Sequence, residues 1–144
     1  MKNADQHDFI KGVVGWIDLK ADDLEERLAY YQQFKKLKGF RHIAQAEAIE
    51  FLCCQEIING VSNLSKYNFT YDILVFPHQL PAAIKLVKAC PNQKFVLDHL
   101  AKPYIKSGDI NQWKKDITEL SKNENVCCKI SGLVTEADWK NWQP

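Results

Sequence analysis

The chain has 144 residues, 46% hydrophobic and 26% charged, and a net charge of +1. That is enough for one modest domain with a core, and it offers no basic excess for nucleic acid or an anionic membrane. No apolar run approaches the roughly 20 residues that span a bilayer, and the polar start Met1 to Asp8 lacks the apolar core of a signal sequence.

Short apolar runs alternate with stretches of helical period. The first run, Val13-Val14-Gly15-Trp16-Ile17, ends in Asp18. Leu24, Leu28, Tyr31 and Phe34 then recur about once per helical turn. Asp22 with Glu25, or Asp23 with Glu26, resembles a capping arrangement at that helix start. A short, weak strand is expected around Gly39 to Ile43. Cys54, Ile57, Ile58, Val61 and Leu64 form the next amphipathic face. A third strand is predicted over Tyr71 to Phe76. Pro81 suits the first turn of a helix whose face is Leu80, Ala83, Ile84 and Val87. Phe95 to Leu97 gives the fourth strand. Trp113, Ile117 and Leu120 mark a helix, and Asn125 to Ile130 the fifth strand. Thr135 with Asp138 resembles one more helix start, close to Pro144.

Five cysteines, Cys53, Cys54, Cys90, Cys127 and Cys128, are odd in number and include two adjacent pairs. Neither fact suits a disulfide framework, and no C-x-x-C spacing is present. They read as small buried apolar residues in a reducing compartment, which points to a cytoplasmic location. Trp16, Trp113, Trp139 and Trp142 read as packing residues, and Tyr104 as an exposed loop residue.

The β-α alternation with continuous apolar strands predicts an α/β protein with a parallel sheet. Two architectures fit: a five-stranded doubly wound sheet, which could serve as a non-catalytic ligand- or partner-binding module, and part of a (β/α)8 barrel. The polar residues favour the barrel. Asp18, Arg41, His42, His78, Asp98, His99, Lys129 and Ser131 all fall at or just after strand ends. In a barrel every strand tip faces one shared mouth. A doubly wound sheet concentrates chemistry at one switch point, often with a glycine-rich phosphate loop that this sequence lacks.

Five segments carry a resemblance over nearly the whole chain. They are Gly12-Val13-Val14-Gly15-Trp16-Ile17-Asp18-Leu19, Gly39-Phe40-Arg41-His42, Thr70-Tyr71-Asp72-Ile73-Leu74-Val75, Phe95-Val96-Leu97-Asp98-His99-Leu100-Ala101-Lys102-Pro103, and Cys128-Lys129-Ile130-Ser131-Gly132-Leu133 with Thr135-Glu136-Ala137. In these segments the chain resembles the amidohydrolase-related metal-dependent hydrolases, in the branch of sugar lactonases. The resemblance implies a partial TIM-type barrel, a single incomplete (β/α) domain over residues 1–144 with strands three to seven. The family's His-x-His pair and its late Ser-Asp-Trp segment have no counterpart here, so the chain reads as an internal fragment.

The resemblance also implies roles. His99 is the leading catalytic residue and a candidate ligand for a divalent metal, zinc by the usual choice. Asp98 and Lys129 are candidate catalytic partners, Asp98 alternatively orienting a neighbour. From their places after strand ends, Arg41, His42 and His78 are candidate substrate-binding residues, Arg41 suited to a carboxylate or lactone oxygen; a structural ion pair for Arg41 and His42, and a loop histidine capping the helix near Pro81 for His78, are the alternatives. The implied substrate is a lactone or a related carboxylic ester or amide, while the charge and apolar runs argue against nucleic acid and membrane partners. Without the missing ligands the chain alone is expected to be inactive. Five strands cannot close a barrel, so two edges and an inner face remain open. Each Å2 of wet apolar surface costs about 25 cal/mol. The isolated chain is therefore expected to be unstable, or to pair with another copy or a complementing fragment.

Overall fold

The computed structural model describes residues 1–141, so Trp142 lies outside the described residues. Five parallel strands form one sheet: β1 (Val13–Gly15), β2 (Leu37–Ile43), β3 (Thr70–Leu74), β4 (Phe95–Leu97) and β5 (Val126–Cys128). Their spatial order is β1-β2-β3-β4-β5, each strand beside its neighbour in sequence. A doubly wound sheet reverses direction at its switch point, whereas a barrel adds each strand next to the last. The order excludes the doubly wound alternative and leaves an open arc of a (β/α) barrel.

Helices α1 (Lys2–Gln6), α2 (Leu24–Tyr31), α3 (Gln55–Lys66), α4 (Leu80–Ala89) and α5 (Asn111–Leu120) complete the alternation. Pro81 sits in the first turn of α4, as its fixed φ favours. Leu28, Val61, Leu64, Leu80, Ala83 and Val87 bury the helix faces against Phe40, Tyr71, Ile73, Phe95 and Leu97 of the sheet. The registers Phe40↔Tyr71↔Phe95 and Ile73↔Leu97 place those five strand residues on one side. At α3 the approach is so close that a Cβ on Gly60 would overlap the Leu19 carbonyl.

The other side of the sheet is open. Val14 and Ile43 alternate onto it and are 40% and 56% exposed. This is the concave face that further strands would enclose in a closed barrel. Among the described residues, no helix is long and apolar enough to cross a membrane.

Several local expectations are corrected. β2 is the longest strand, not a weak one; Lys38, Arg41 and His42 interrupt its apolar run but not its pairing on both sides. β5 is shorter than expected, and Leu133–Glu136 forms a 3-10 turn where a helix start was anticipated at Thr135. The Thr135 hydroxyl donates back to the Gly132 carbonyl rather than capping forward. Asp23 precedes α2 without a capping bond and instead pairs with Arg27 at 2.7 Å. Only Cys90 is buried; Cys54, Cys127 and Cys128 are exposed. Cys127 faces the open side, and Cys128 belongs to an edge strand that no later helix covers among the described residues. Trp113 packs against the core as expected, but Trp16 and Trp139 are exposed.

Candidate active site

Strand alternation brings four charges to the concave face. Arg41 on β2 stands opposite Asp72 on β3. Asp98 and Lys129 directly follow β4 and β5, two residues beyond Val96 and Cys127, which pair with each other. All four therefore share one parity and point inward near the C-terminal ends of the strands. Adjacent residues must point the opposite way, and this separates Arg41 from His42.

The four charges form a continuous chain. Lys129 Nζ donates to Asp72 Oδ2 at 2.6 Å and stands 2.6 Å from Asp98 Oδ1. Arg41 Nη1 donates to Asp98 Oδ2 at 2.9 Å. Asp72 and Asp98 are buried, whereas the Arg41 and Lys129 side chains are 40% and 42% exposed. Buried carboxylates thus anchor two cations whose outer surfaces face the open side. Burial opposes the charge on Lys129, but its bonds to Asp72 and then Asp98 outweigh that and raise its pKa. Lys129 stays protonated at neutral pH. Asp72 Oδ1 is buried without a protein partner.

His99 begins an unusual turn. His99, Leu100, Ala101 and Lys102 all have left-handed backbones, with φ of 54°, 54°, 54° and 50°. Non-glycine residues avoid this region at a cost of roughly 1 kcal/mol each. The turn is held by the Trp113 indole N–H, which donates to the Leu100 carbonyl at 2.7 Å. Buried Ala101 and the Lys102 ion pair with Glu136 at 3.5 Å hold it further. His99 Nδ1 lies 2.8 Å from Ser131 Oγ on the neighbouring strand end.

The structure therefore gathers Arg41, Asp98, Lys129 and His99 at adjoining strand ends. It does not bring His42 or His78 into the charge chain. His42 receives the Trp16 indole N–H at 3.2 Å, meets Glu47 Oε1 at 2.8 Å and stacks on Phe51. These residues line a separate recess of about 160 Å3 with Asp18 and Lys20. His78 stacks on Phe76 and meets the Tyr104 hydroxyl at 3.1 Å. Asp72 is the residue that the sequence reading passed over. Its signal was a carboxylate inside an apolar strand, which burial obliges to find a cation.

The residues present do not make a metal centre. No group of three or more His, Cys, Asp and Glu side chains converges among the described residues. His99 offers one free ring nitrogen, and Asp72 and Asp98 are already engaged with Lys129 and Arg41. Zinc would need ligands from elsewhere.

The amidohydrolase family profile matches residues 2–144. An L-fucono-1,5-lactonase of Burkholderia multivorans is 40% identical over 138 residues, spanning 91% of this chain and 46% of the relative. A second, from Burkholderia ambifaria, is 34% identical over 135 residues, spanning 93% and 47%. A crystal structure of a Burkholderia multivorans amidohydrolase with bound zinc superposes with a TM-score of 0.89 at 39% identity, over 96% of this chain and 50% of that one. The chain spans about half the length of the curated relatives it matches. On a profile match of this extent, the chain belongs to the amidohydrolase family.

Proposed function

We propose that this chain carries half of a lactone-hydrolase active site, with His99 as the group that handles water and Arg41 and Lys129 as the groups that steady substrate oxygens. The observation that carries the reading is the Asp72–Lys129–Asp98–Arg41 chain at the strand ends, with His99 beside Asp98. Its cations are held by buried carboxylates, so they need no reorganisation when negative charge develops nearby.

The chemistry follows from those groups. Water adds to the lactone carbonyl as His99 takes its proton, and the carbonyl oxygen becomes an oxyanion beside the cations. The ring C–O bond then breaks, and His99 returns the proton to the departing ring oxygen. The product is an open hydroxy acid, whose carboxylate suits the planar fork of Arg41. The likeness to two L-fucono-1,5-lactonases supports a sugar lactone as the substrate class. No step here passes through a metal, because these residues do not assemble one.

The remaining groups of the site belong, on this reading, to strands that this sequence does not contain. The exposed Val14 and Ile43 mark where those strands would pack. The free cysteines support a reducing, cytoplasmic setting. The test is hydrolysis of L-fucono-1,5-lactone by the purified chain, with and without zinc. We expect no turnover above buffer. Sustained turnover abolished by His99→Ala would overturn the half-site reading in favour of a self-sufficient enzyme.

A further inference from the structure

We propose that Ser131 and Gly132 are positioning residues for His99: the serine hydroxyl accepts from Nδ1–H, and the side-chain-free surface of the glycine seats the ring, leaving Nε2 as the working nitrogen. The inference rests on the hydrolase reading above, and it concerns how that reading's central histidine is held.

Three observations converge on one ring. Ser131 Oγ lies 2.8 Å from Nδ1, and the ring has no other hydrogen-bond partner among the described residues. Gly132 has φ of 71°, a backbone that L side chains rarely adopt. A Cβ there would stand 2.9 Å from His99 Cβ and Cγ and 3.0 Å from Nδ1. Glycine is thus required twice, by its backbone and by the imidazole that occupies the missing side chain's place. From the other side, the left-handed backbone of His99 directs the ring, and the Trp113 bond to Leu100 holds that backbone. Residues 32 positions apart in sequence, on two neighbouring strand ends, therefore fix one side chain.

The hydrogen bond at one ring nitrogen sets the state of the other. A free neutral imidazole side chain favours the proton on Nε2. Ser131 accepting from Nδ1–H reverses that preference and leaves a lone pair on Nε2, the form a general base needs. Ser131 is exposed, so its hydroxyl can pass its own proton to water. A hydrogen bond at an exposed site adds little to stability; its effect falls on the ring.

The test reads the tautomer rather than activity. Long-range 1H–15N spectra of the purified 144-residue chain, first verified as folded by its dispersed amide signals or else fused to the complementary half of the Burkholderia multivorans relative, at a pH where imidazole is neutral, report which nitrogen carries the proton. His99→Gln assigns the signal among the four histidines. The wild-type ring is expected mainly as the Nδ1–H tautomer. Ser131→Ala should shift the tautomer ratio toward Nε2–H by about fivefold, the factor that one ordinary net hydrogen bond implies. Ser131→Thr, which keeps the hydroxyl, should restore it, and Gly132→Ala should displace the ring and lose the Nδ1–H form. An unchanged ratio in Ser131→Ala, or a wild-type ring mainly Nε2–H, overturns the proposal. Neither result touches the hydrolase reading, which stands or falls on lactone turnover and His99→Ala.

Discussion

Replacing Lys129 with methionine should expose the asymmetry of the charge chain. Methionine keeps most of the stem volume and removes the ammonium. Asp72 then loses the one ion-pair partner it has among the described residues while remaining buried, and among those residues Asp98 keeps Arg41. Breaking a fully buried pair from one side costs about 3 to 5 kcal/mol. The Lys129 side chain is 42% exposed, so water screens the pair and the low end applies, about 3 kcal/mol. For a chain of this size that lowers Tm by about 10 °C. Asp98→Asn should cost less, about 1 to 2 kcal/mol, because the cations it releases are half exposed and can turn to water. Adding Asp72→Asn to Lys129→Met should recover part of the loss, since an amide tolerates burial better than a lone carboxylate. Urea unfolding of the four proteins measures this directly. The reasoning fails if Lys129→Met changes stability by less than about 0.5 kcal/mol, or if Asp98→Asn is the more damaging change.

The same lysine sets a pH dependence. Its folded pKa lies above the ordinary 10.5, so the stabilisation is complete below that value and fades as pH rises through the folded one. Burial also raises the Tyr71 phenol, which steepens the loss above pH 10 in any variant. Thermal scans from pH 8 to 11 should show a shallower alkaline decline in Lys129→Met than in the parent, and parallel curves would count against the Lys129 contribution. Gly60→Ala should destabilise by more than about 2 kcal/mol, because its Cβ overlaps the Leu19 backbone rather than a movable side chain; circular dichroism melting checks it. In the native chain a thiol reagent should label Cys54 and Cys127 readily and Cys128 more slowly, because partial desolvation of its thiol raises the Cys128 pKa although the residue is exposed overall, while Cys90 reacts only after unfolding.

The positions of the polar strand tips were legible in the sequence because parallel strands end abruptly. Val96-Leu97 running into Asp98-His99, and Cys127-Cys128 running into Lys129, carry a change of polarity that marks a strand tip. The observed arc confirms the parallel sheet, and the sequential strand order decides between the two architectures that periodicity left open. What pairs with what was not legible. The contacts of Arg41 with Asp98 and of Lys129 with Asp72 each span 57 residues, and register alone aligns them. Nor could adjacency separate Arg41 from His42; the pleat sends one to the charge chain and the other to Trp16 and Glu47. The left-handed turn at His99 was invisible because it contains no glycine, and tertiary contacts from Trp113 and Lys102 override local preference there. The exposed cysteines were misread for a related reason: the open face and the edge strand leave them uncovered, which no composition rule anticipates.

The most direct measurement supplies the absent strands. This chain, fused to the complementary half of the Burkholderia multivorans L-fucono-1,5-lactonase and verified as folded, is assayed for release of acid from L-fucono-1,5-lactone. Hydrolysis should appear that neither half shows alone, and it should fall at least about 100-fold in His99→Ala, with a marked rise in KM in Arg41→Ala. A folded fusion that hydrolyses the lactone equally well without the His99 imidazole would contradict the assignment of this strand-end cluster as the chemical half of the site.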